Sequence, residues 1–201
     1  MKLYSHPGSC SSAIHMTLLE SGLEFDVEKV DLFGDRVLGD GRNFNDINPK
    51  GSVPVLELDS GETLTEVCAI LQYIADQCPD KALAPANGSL ERTRLHEWLS
   101  YLNSELHMTL GAFFNPALEG PMRKAMEERL DARWKFIDGH LANNDYLLGN
   151  DFSVADVYLF IMTNWPGMVG MDISAYKNVG AFASRISERQ SAKTVLEMLA
   201  H

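Results

Sequence analysis

Cys10 closes the run Ser5-His6-Pro7-Gly8-Ser9-Cys10, after a short strand candidate and at the expected first residues of a helix. Amides and the macrodipole at a helix N-terminus favour an anion, so a thiol there is expected to ionise more readily than usual and to supply a thiolate at neutral pH. A second run, Asn48-Pro49-Lys50-Gly51-Ser52-Val53-Pro54-Val55, puts a proline at the head of an apolar strand. Proline gives a sheet no amide, and X-Pro is the bond whose cis form costs only roughly 0.5–1 kcal/mol. A cis bond here would turn the Val53 N–H and C=O outward like an open strand edge, which an extended peptide can pair with. The expectation is that Cys10 and the Val53–Pro54 corner face each other across a gap, where a cysteine-containing peptide pairs with Val53 while its sulfur meets Cys10. The competing reading of Cys10 is a small, half-buried packing residue.

Other titratable residues carry less. Cys68 and Cys78 fall within or at the end of an apolar helix and read as packing residues. His6, Cys10 and His15 lack zinc spacing and a fourth ligand, so no metal is expected.

The elements that must position Cys10 and Pro54 come from the periodicity. Lys2 to Ser5 is a strand, Ser11 to Ser21 has helical spacing with Gly22 as a stop, and Glu24 to Leu32 alternates as a second, parallel strand. An irregular stretch from Gly34 to Gly41 leads to a hairpin around Asp59-Ser60-Gly61 and an amphipathic helix from Glu66 to Gln77. Pro79 to Gly88 has the composition of an interdomain linker. From Ser89 on, the spacing predicts helices only, near 89–113, 121–142, 153–165, 174–188 and 191–200. Within Asp151-Phe152-Ser153-Val154-Ala155-Asp156, Ser153 is expected to cap a helix, Asp156 to bond back to the Ser153 N–H, and Phe152 to staple onto Val157; Asp156 is assigned to folding rather than chemistry.

With 201 residues, 45% hydrophobic and 22% charged, the chain can bury a full core in one large or two small domains. A net charge of −11 argues against a nucleic-acid partner, because such binding needs Lys and Arg to displace counterions. Three cysteines without a CxxC pair suggest neither a disulfide framework nor a zinc site and fit a reducing cytoplasm. The N-terminus lacks a basic segment followed by an apolar one, so the mature chain is expected to start at Met1, with no membrane association.

The ordered set Met1-Lys2-Leu3-Tyr4, Pro7-Gly8-Ser9-Cys10-Ser11, Asn48-Pro49-Lys50-Gly51-x-Val53-Pro54, Leu64-Thr65-Glu66-x-x-Ala69-Ile70-x-Gln72-Tyr73-Ile74-Ala75-Asp76, Glu97-Trp98-Leu99 and Phe152-Ser153-Val154-Ala155-Asp156 resembles the cytosolic glutathione S-transferases. It is most similar to the bacterial beta class, which has a cysteine where other classes use tyrosine or serine. The resemblance implies an α/β plus all-α architecture: a thioredoxin-like β-α-β-α-β-β-α glutathione-binding domain over 1–80, then an all-helical cosubstrate and dimer domain over 88–201. It also implies a homodimer, no tightly bound cofactor, and reduced glutathione as cosubstrate.

Carried over by motif, Cys10 would contact the glutathione sulfur and can form a mixed disulfide with it. Val53 with cis Pro54 would hold the cysteinyl backbone, and Glu66 and the Val67 amide would take the γ-glutamyl end. Glu66 is chemically apt on its own account, since it opens a helix where its carboxylate can meet an ammonium while helix amides bind the neighbouring carboxylate. The resemblance puts a histidine facing the sulfur at His107, as proton acceptor or water holder. It extends the glutathione site to Arg36, Lys50, Ser100, Ser104, Glu105 and Leu106. Ser52, Val67, Ser100 and Met108 depart from the usual beta-class residues. Loss of a basic residue at 108 leaves local positive charge to Arg36, Lys50 and helix N-termini, so weaker glutathione binding is expected.

The leading function is conjugation of glutathione to a small apolar electrophile. Met108, Leu110, Phe113, Phe114, Trp165 and Met168 are candidates to line the cosubstrate pocket, although their helical spacing equally fits ordinary core. A thiol-disulfide reductase or peroxidase using Cys10 is an alternative; with Ala13 where a partner cysteine would stand, glutathione would have to resolve the mixed disulfide. A non-catalytic glutathione- or ligand-binding dimer is another.

Overall fold

The N-terminal unit is built around β1 (Lys2–Ser5), whose Leu3 and Tyr4 are fully buried. In the computed structural model, which describes residues 1–198, α1 (Ser11–Ser21) follows and is buried along most of its length. The hydroxyls of Thr17 and Ser21 donate to the Ala13 and Leu18 carbonyls, which lets a helix rich in small polar residues enter a core. α1 stops at Gly22, left-handed at φ 72°, whose N–H closes on the Leu18 carbonyl. β2 (Asp26–Lys29) pairs parallel with β1, Leu3 opposite Val27, so α1 is the crossover. The alternation read over 24–32 overshoots this strand, because β2 is a short, largely exposed edge.

A four-residue helix, α2 (Phe44–Ile47), interrupts the loop; the side-chain oxygen of Asn43 accepts from the Asn45 amide at its start. Phe44 anchors it in a cluster with Tyr4, Val30, Leu38, Val53 and Val55. β3 (Val55–Glu57) runs antiparallel to β1, and β4 (Thr63–Thr65) antiparallel to β3, with Leu56 opposite both Leu3 and Leu64. The sheet order is β2-β1-β3-β4. This mixed sheet with its helices is thioredoxin-like. α3 (Val67–Gln77) then packs alongside α1.

The second unit, Ala84–Arg189, is helical apart from an isolated bridge between Tyr146 and Gly149. The helix expected over 89–113 changes character along its length. It begins as α4 (Leu90–Tyr101), with the Ser89 hydroxyl accepting from the Arg92 amide; it widens to a π-helical segment, Leu102–His107; and it returns to α-helix as α5 (Met108–Gly111). Leu95, Leu99, Leu102, Leu106 and Leu110 hold one buried stripe through these changes. α6 (Gly120–Leu141), α7 (Val154–Met168) and α8 (Lys177–Ser187) complete the unit. At the start of α7 the Ser153 N–H and hydroxyl both donate to Asp156, which also accepts from the Leu147 amide. Phe152 packs its ring edge-on to Tyr146, with the Arg189 guanidinium over its face.

One boundary needs correction. The all-helical domain expected over 88–201 would contain the last helix, yet α9 (Gln190–Glu197) belongs to the N-terminal unit. Its Ala192 and Val195 are buried, it packs on α1, and the Ser191 hydroxyl bonds to the Glu20 carboxylate. The end of the helix expected over 191–200 lies outside the described residues. Among those described, no helix is long and apolar enough to cross a membrane.

Candidate functional site

In the N-terminal unit the loop between β1 and α1 is pinned by hydroxyls. Ser11 Oγ lies 2.8 Å from Ser5 Oγ and 2.7 Å from Ser9 Oγ, and it accepts from the His6 amide. His6 Nδ1 in turn meets the Val30 carbonyl at 2.9 Å. This leaves Cys10 as the N-cap of α1, 8% exposed, with its Sγ 3.6 Å from the Val53 carbonyl oxygen. The Val53–Pro54 bond is cis, and Val55 begins β3 immediately after it.

Two expectations are corrected here. The sulfur and the corner are in contact, with no gap between them, because the thiol donates to the Val53 carbonyl. Nor is Cys10 a ready thiolate: burial pushes its pKa to about 12, and the nearby Glu66 and Cys68 push the same way. The amides of Cys10 and Ser11 pull it down, as helix-terminus reasoning requires, but desolvation is the larger effect.

Glu66 caps α3 with a backbone φ of 71°, a left-handed conformation that costs a residue with a Cβ about 1 kcal/mol or more. The twist sets its carboxylate beside the first turn of α3, where no side chain caps the amides that begin at Val67. Lys50 reaches across to Glu66 Oε1 at 2.6 Å and Thr65 Oγ1 at 2.9 Å. The ammonium of Lys50 thus rests on the carboxylate expected to receive the ammonium of a γ-glutamyl group. Both side chains of that pair remain more than half exposed, so the contact is readily exchanged. Arg36, itself at φ 60°, donates to Asn45 Oδ1 and the Gly51 carbonyl. Its guanidinium braces the loop before Val53.

In the helical unit the π-helical segment carries Ser104, Glu105, Leu106 and His107. His107 Nδ1 lies 2.6 Å from the Tyr158 hydroxyl, and its ring meets those of Tyr158 and Trp165 edge-on. Burial lowers the His107 pKa from 6.5 to about 4, so the imidazole is neutral at pH 7. Glu105 is engaged by the guanidinium groups of Arg129 and Arg133, Leu106 is fully buried, and Ser100 and Ser104 are exposed. The side chains of Glu105 and Leu106 are therefore committed within the unit. Of the six residues considered for an apolar pocket, Leu110, Phe113 and Trp165 are buried, whereas Met108, Phe114 and Met168 are exposed.

Asn103 and Tyr158, which the sequence reading passed over, complete the His107 cluster. Tyr158 stands inside the apolar run Val157 to Met162; a phenol in such a run needs a polar partner, which is the one local hint it offers. Among the described residues no group of three or more His, Cys, Asp or Glu side chains could hold a metal ion.

Models of the glutathione S-transferase N-terminal and C-terminal domains match residues 8–77 and 96–190. The chain is 36% identical over 196 residues to the glutathione S-transferase GstA of Escherichia coli O157:H7, covering 98% of this chain and 97% of that protein. A sphingomonad glutathione S-transferase solved with glutathione superposes with a TM-score of 0.94 at 46% identity, covering 100% of this chain and 99% of that one. The beta-class glutathione S-transferase of Sphingomonas chungbukensis gives 0.93 at 47% identity over 98% of each chain. With both domain models in order and relatives matched end to end, the chain belongs to the glutathione S-transferase family.

Proposed function

We propose that the protein is a transferase that joins reduced glutathione to small apolar electrophiles, with glutathione held by Glu66, the Val67 amide, Val53 and Lys50. Glu66 carries the reading. Its strained backbone presents a carboxylate next to uncapped helix amides, an arrangement complementary to the ammonium and carboxylate of a γ-glutamyl group. The bound Lys50 ammonium already occupies the cationic half of that pattern. In the reaction the glutathione thiol loses its proton, the sulfur pair forms a bond to carbon, and the leaving group departs with its own pair. His107, the proton acceptor that the family resemblance implies, is neutral at pH 7.

The state of Cys10 favours conjugation over a reductase or peroxidase in which Cys10 attacks. A thiol with a pKa of about 12 supplies very little thiolate at neutral pH. A glutathione-binding dimer without turnover is the remaining reading, and retention on immobilised glutathione with no conjugation of aryl halides or epoxides would favour it.

The carrying observation is tested by calorimetric titration with reduced glutathione. Removing a charge-assisted contact costs about 1.5–3 kcal/mol, so Glu66→Gln is expected to weaken binding roughly 10- to 100-fold. Unchanged affinity would overturn the assignment of Glu66.

The homodimer also belongs to this reading, supported by rings on α4 and α6 left at the surface: Trp98 and Tyr101 half-buried against Phe136, which is 55% exposed. Sedimentation is expected at twice the 22.4 kDa chain mass, and a stable species of single mass would count against it. A cytoplasmic site of action fits the three cysteines, none of them in a disulfide.

A further inference from the structure

In the N-terminal unit a guanidinium lies where a side chain on Gly51 would go. A Cβ there would sit 2.5 Å from Arg36 Nη1 and 3.2 Å from Asn45 Oδ1, and the Gly51 backbone, at φ 65°, already favours glycine. Arg36 Nη1 donates to the Gly51 carbonyl at 3.1 Å and to Asn45 Oδ1 at 3.0 Å, so one arm of the fork is spent on two neutral acceptors. Arg36 itself stands at φ 60°, a left-handed conformation that a residue with a Cβ keeps where its surroundings impose it. Its carbonyl accepts from the amide of Phe44, which is fully buried. The arginine is thereby tied by its backbone to α2 and by its side chain to the loop before Val53.

From Gly51 the grip runs on to Val53. The Gly51 N–H donates to the Asn48 carbonyl at 2.8 Å, and Nδ2 of Asn48, which is 3% exposed, donates to the Ser52 carbonyl at 2.7 Å. Both backbone polar groups of Gly51 and the Ser52 carbonyl are therefore held, immediately ahead of Val53. Of these three contacts, the one from Arg36 comes from outside the turn 48–52 and fixes that turn to the rest of the unit. We propose that Arg36 serves glutathione as a positioning residue, holding the Gly51 peptide and through it the Val53 edge, and not as a direct ligand of the tripeptide.

This inference deepens the proposed function and rests on its assignment of Val53 to the cysteinyl backbone. It replaces the direct contact that the family resemblance implies for Arg36. A guanidinium bonds a carbonyl more strongly than a neutral donor does. Drawing the arm off to a ligand would release the Gly51 carbonyl and loosen the segment on which that ligand pairs. Held in place, the segment is ordered before glutathione arrives, and binding is spared the cost of ordering it. Lys50 differs from Arg36 in this respect, since its ammonium reaches Glu66 across an exposed and exchangeable contact.

The test is calorimetric titration of the full chain with reduced glutathione and with its glycyl ethyl ester, in which the glycyl carboxylate is uncharged. Arg36→Ala is expected to weaken both ligands by the same factor, roughly tenfold. Gly51→Asn supplies a residue that tolerates the left-handed backbone while its Cβ displaces Nη1; it should match that loss, and combining the two should add little. Hydrogen exchange over residues 50–53 in the ligand-free protein should quicken severalfold in both variants, with the rest of the N-terminal unit unchanged. A loss seen with glutathione and absent with the ester would overturn the proposal by making Arg36 a direct ligand. Additive losses in the double variant, unchanged exchange, or faster exchange with both affinities intact would each overturn it as well. Wild type that binds neither peptide would overturn the proposed function and this role with it, while the exchange rates would still decide whether Arg36 holds the loop.

Discussion

Cys10 shows two local effects in competition. Helix amides draw the thiol toward ionisation, whereas its position against the Val53 carbonyl withdraws it from water, and withdrawal wins with a pKa near 12. The thiol is thus a donor that closes the loop onto the cis corner. Cys10→Ala is accordingly expected to keep glutathione conjugation within about tenfold, since the attacking sulfur belongs to glutathione, while abolishing any disulfide exchange. Parallel assays with an aryl halide and a mixed disulfide check this. Conjugation lost together with exchange would mean that Cys10 acts directly on the substrate sulfur.

At the scale of the element, the helix termini do most of the positioning. α3 starts on a strained Glu66 and gains a presented carboxylate, while α7 starts on a satisfied capping box. Asp156 is buried, and burial pushes its pKa to about 6 against the pull of the Leu147 and Ser153 donors. Ser153→Ala removes one cap and is expected to cost about 1 kcal/mol. Asp156→Ala strands the Leu147 and Ser153 amides together and is expected to cost about 3 kcal/mol or more. Thermal unfolding of the two variants measures the difference, and equal losses would contradict the hub role of Asp156. The start of α7 was legible in the sequence because a capping box is a local pattern. The π-helical segment was not: Leu95, Leu99, Leu102, Leu106 and Leu110 keep a helical stripe, and nothing in their spacing marks where one hydrogen-bond pattern yields to another.

For the whole molecule, buried His15 and half-buried His107 tie stability to pH. Burial lowers the pKa of both His15 and His107, so between pH 6.5 and about 4 the unfolded chain binds protons that the native His107 refuses, and stability falls as pH drops through that window. Asp156, raised by burial, works in the opposite direction, taking a proton in the native state first. The His107 contribution is isolated by difference. Between pH 7 and pH 5 wild type should lose about 2 kcal/mol relative to His107→Gln, measured by urea unfolding at each pH. A constant difference across that range would show that His107 is not held neutral by burial.

The amino-acid order by itself determined what depends on neighbours along the chain: the β-α-β opening, the hairpin, the proline corner, the capping box and the motif order that points to the family. Tertiary structure decided what depends on residues far apart. Phe44 makes a helix anchor in a stretch that reads as loop because Tyr4 and Val55 wait for it, and α9 joins the N-terminal unit because α1 offers it an apolar face. The protonation of Cys10 and His107 belongs to the same class. A pKa is set by exclusion of water and by partners such as Val53 and Tyr158, 43 and 51 residues away, and sequence spacing encodes neither.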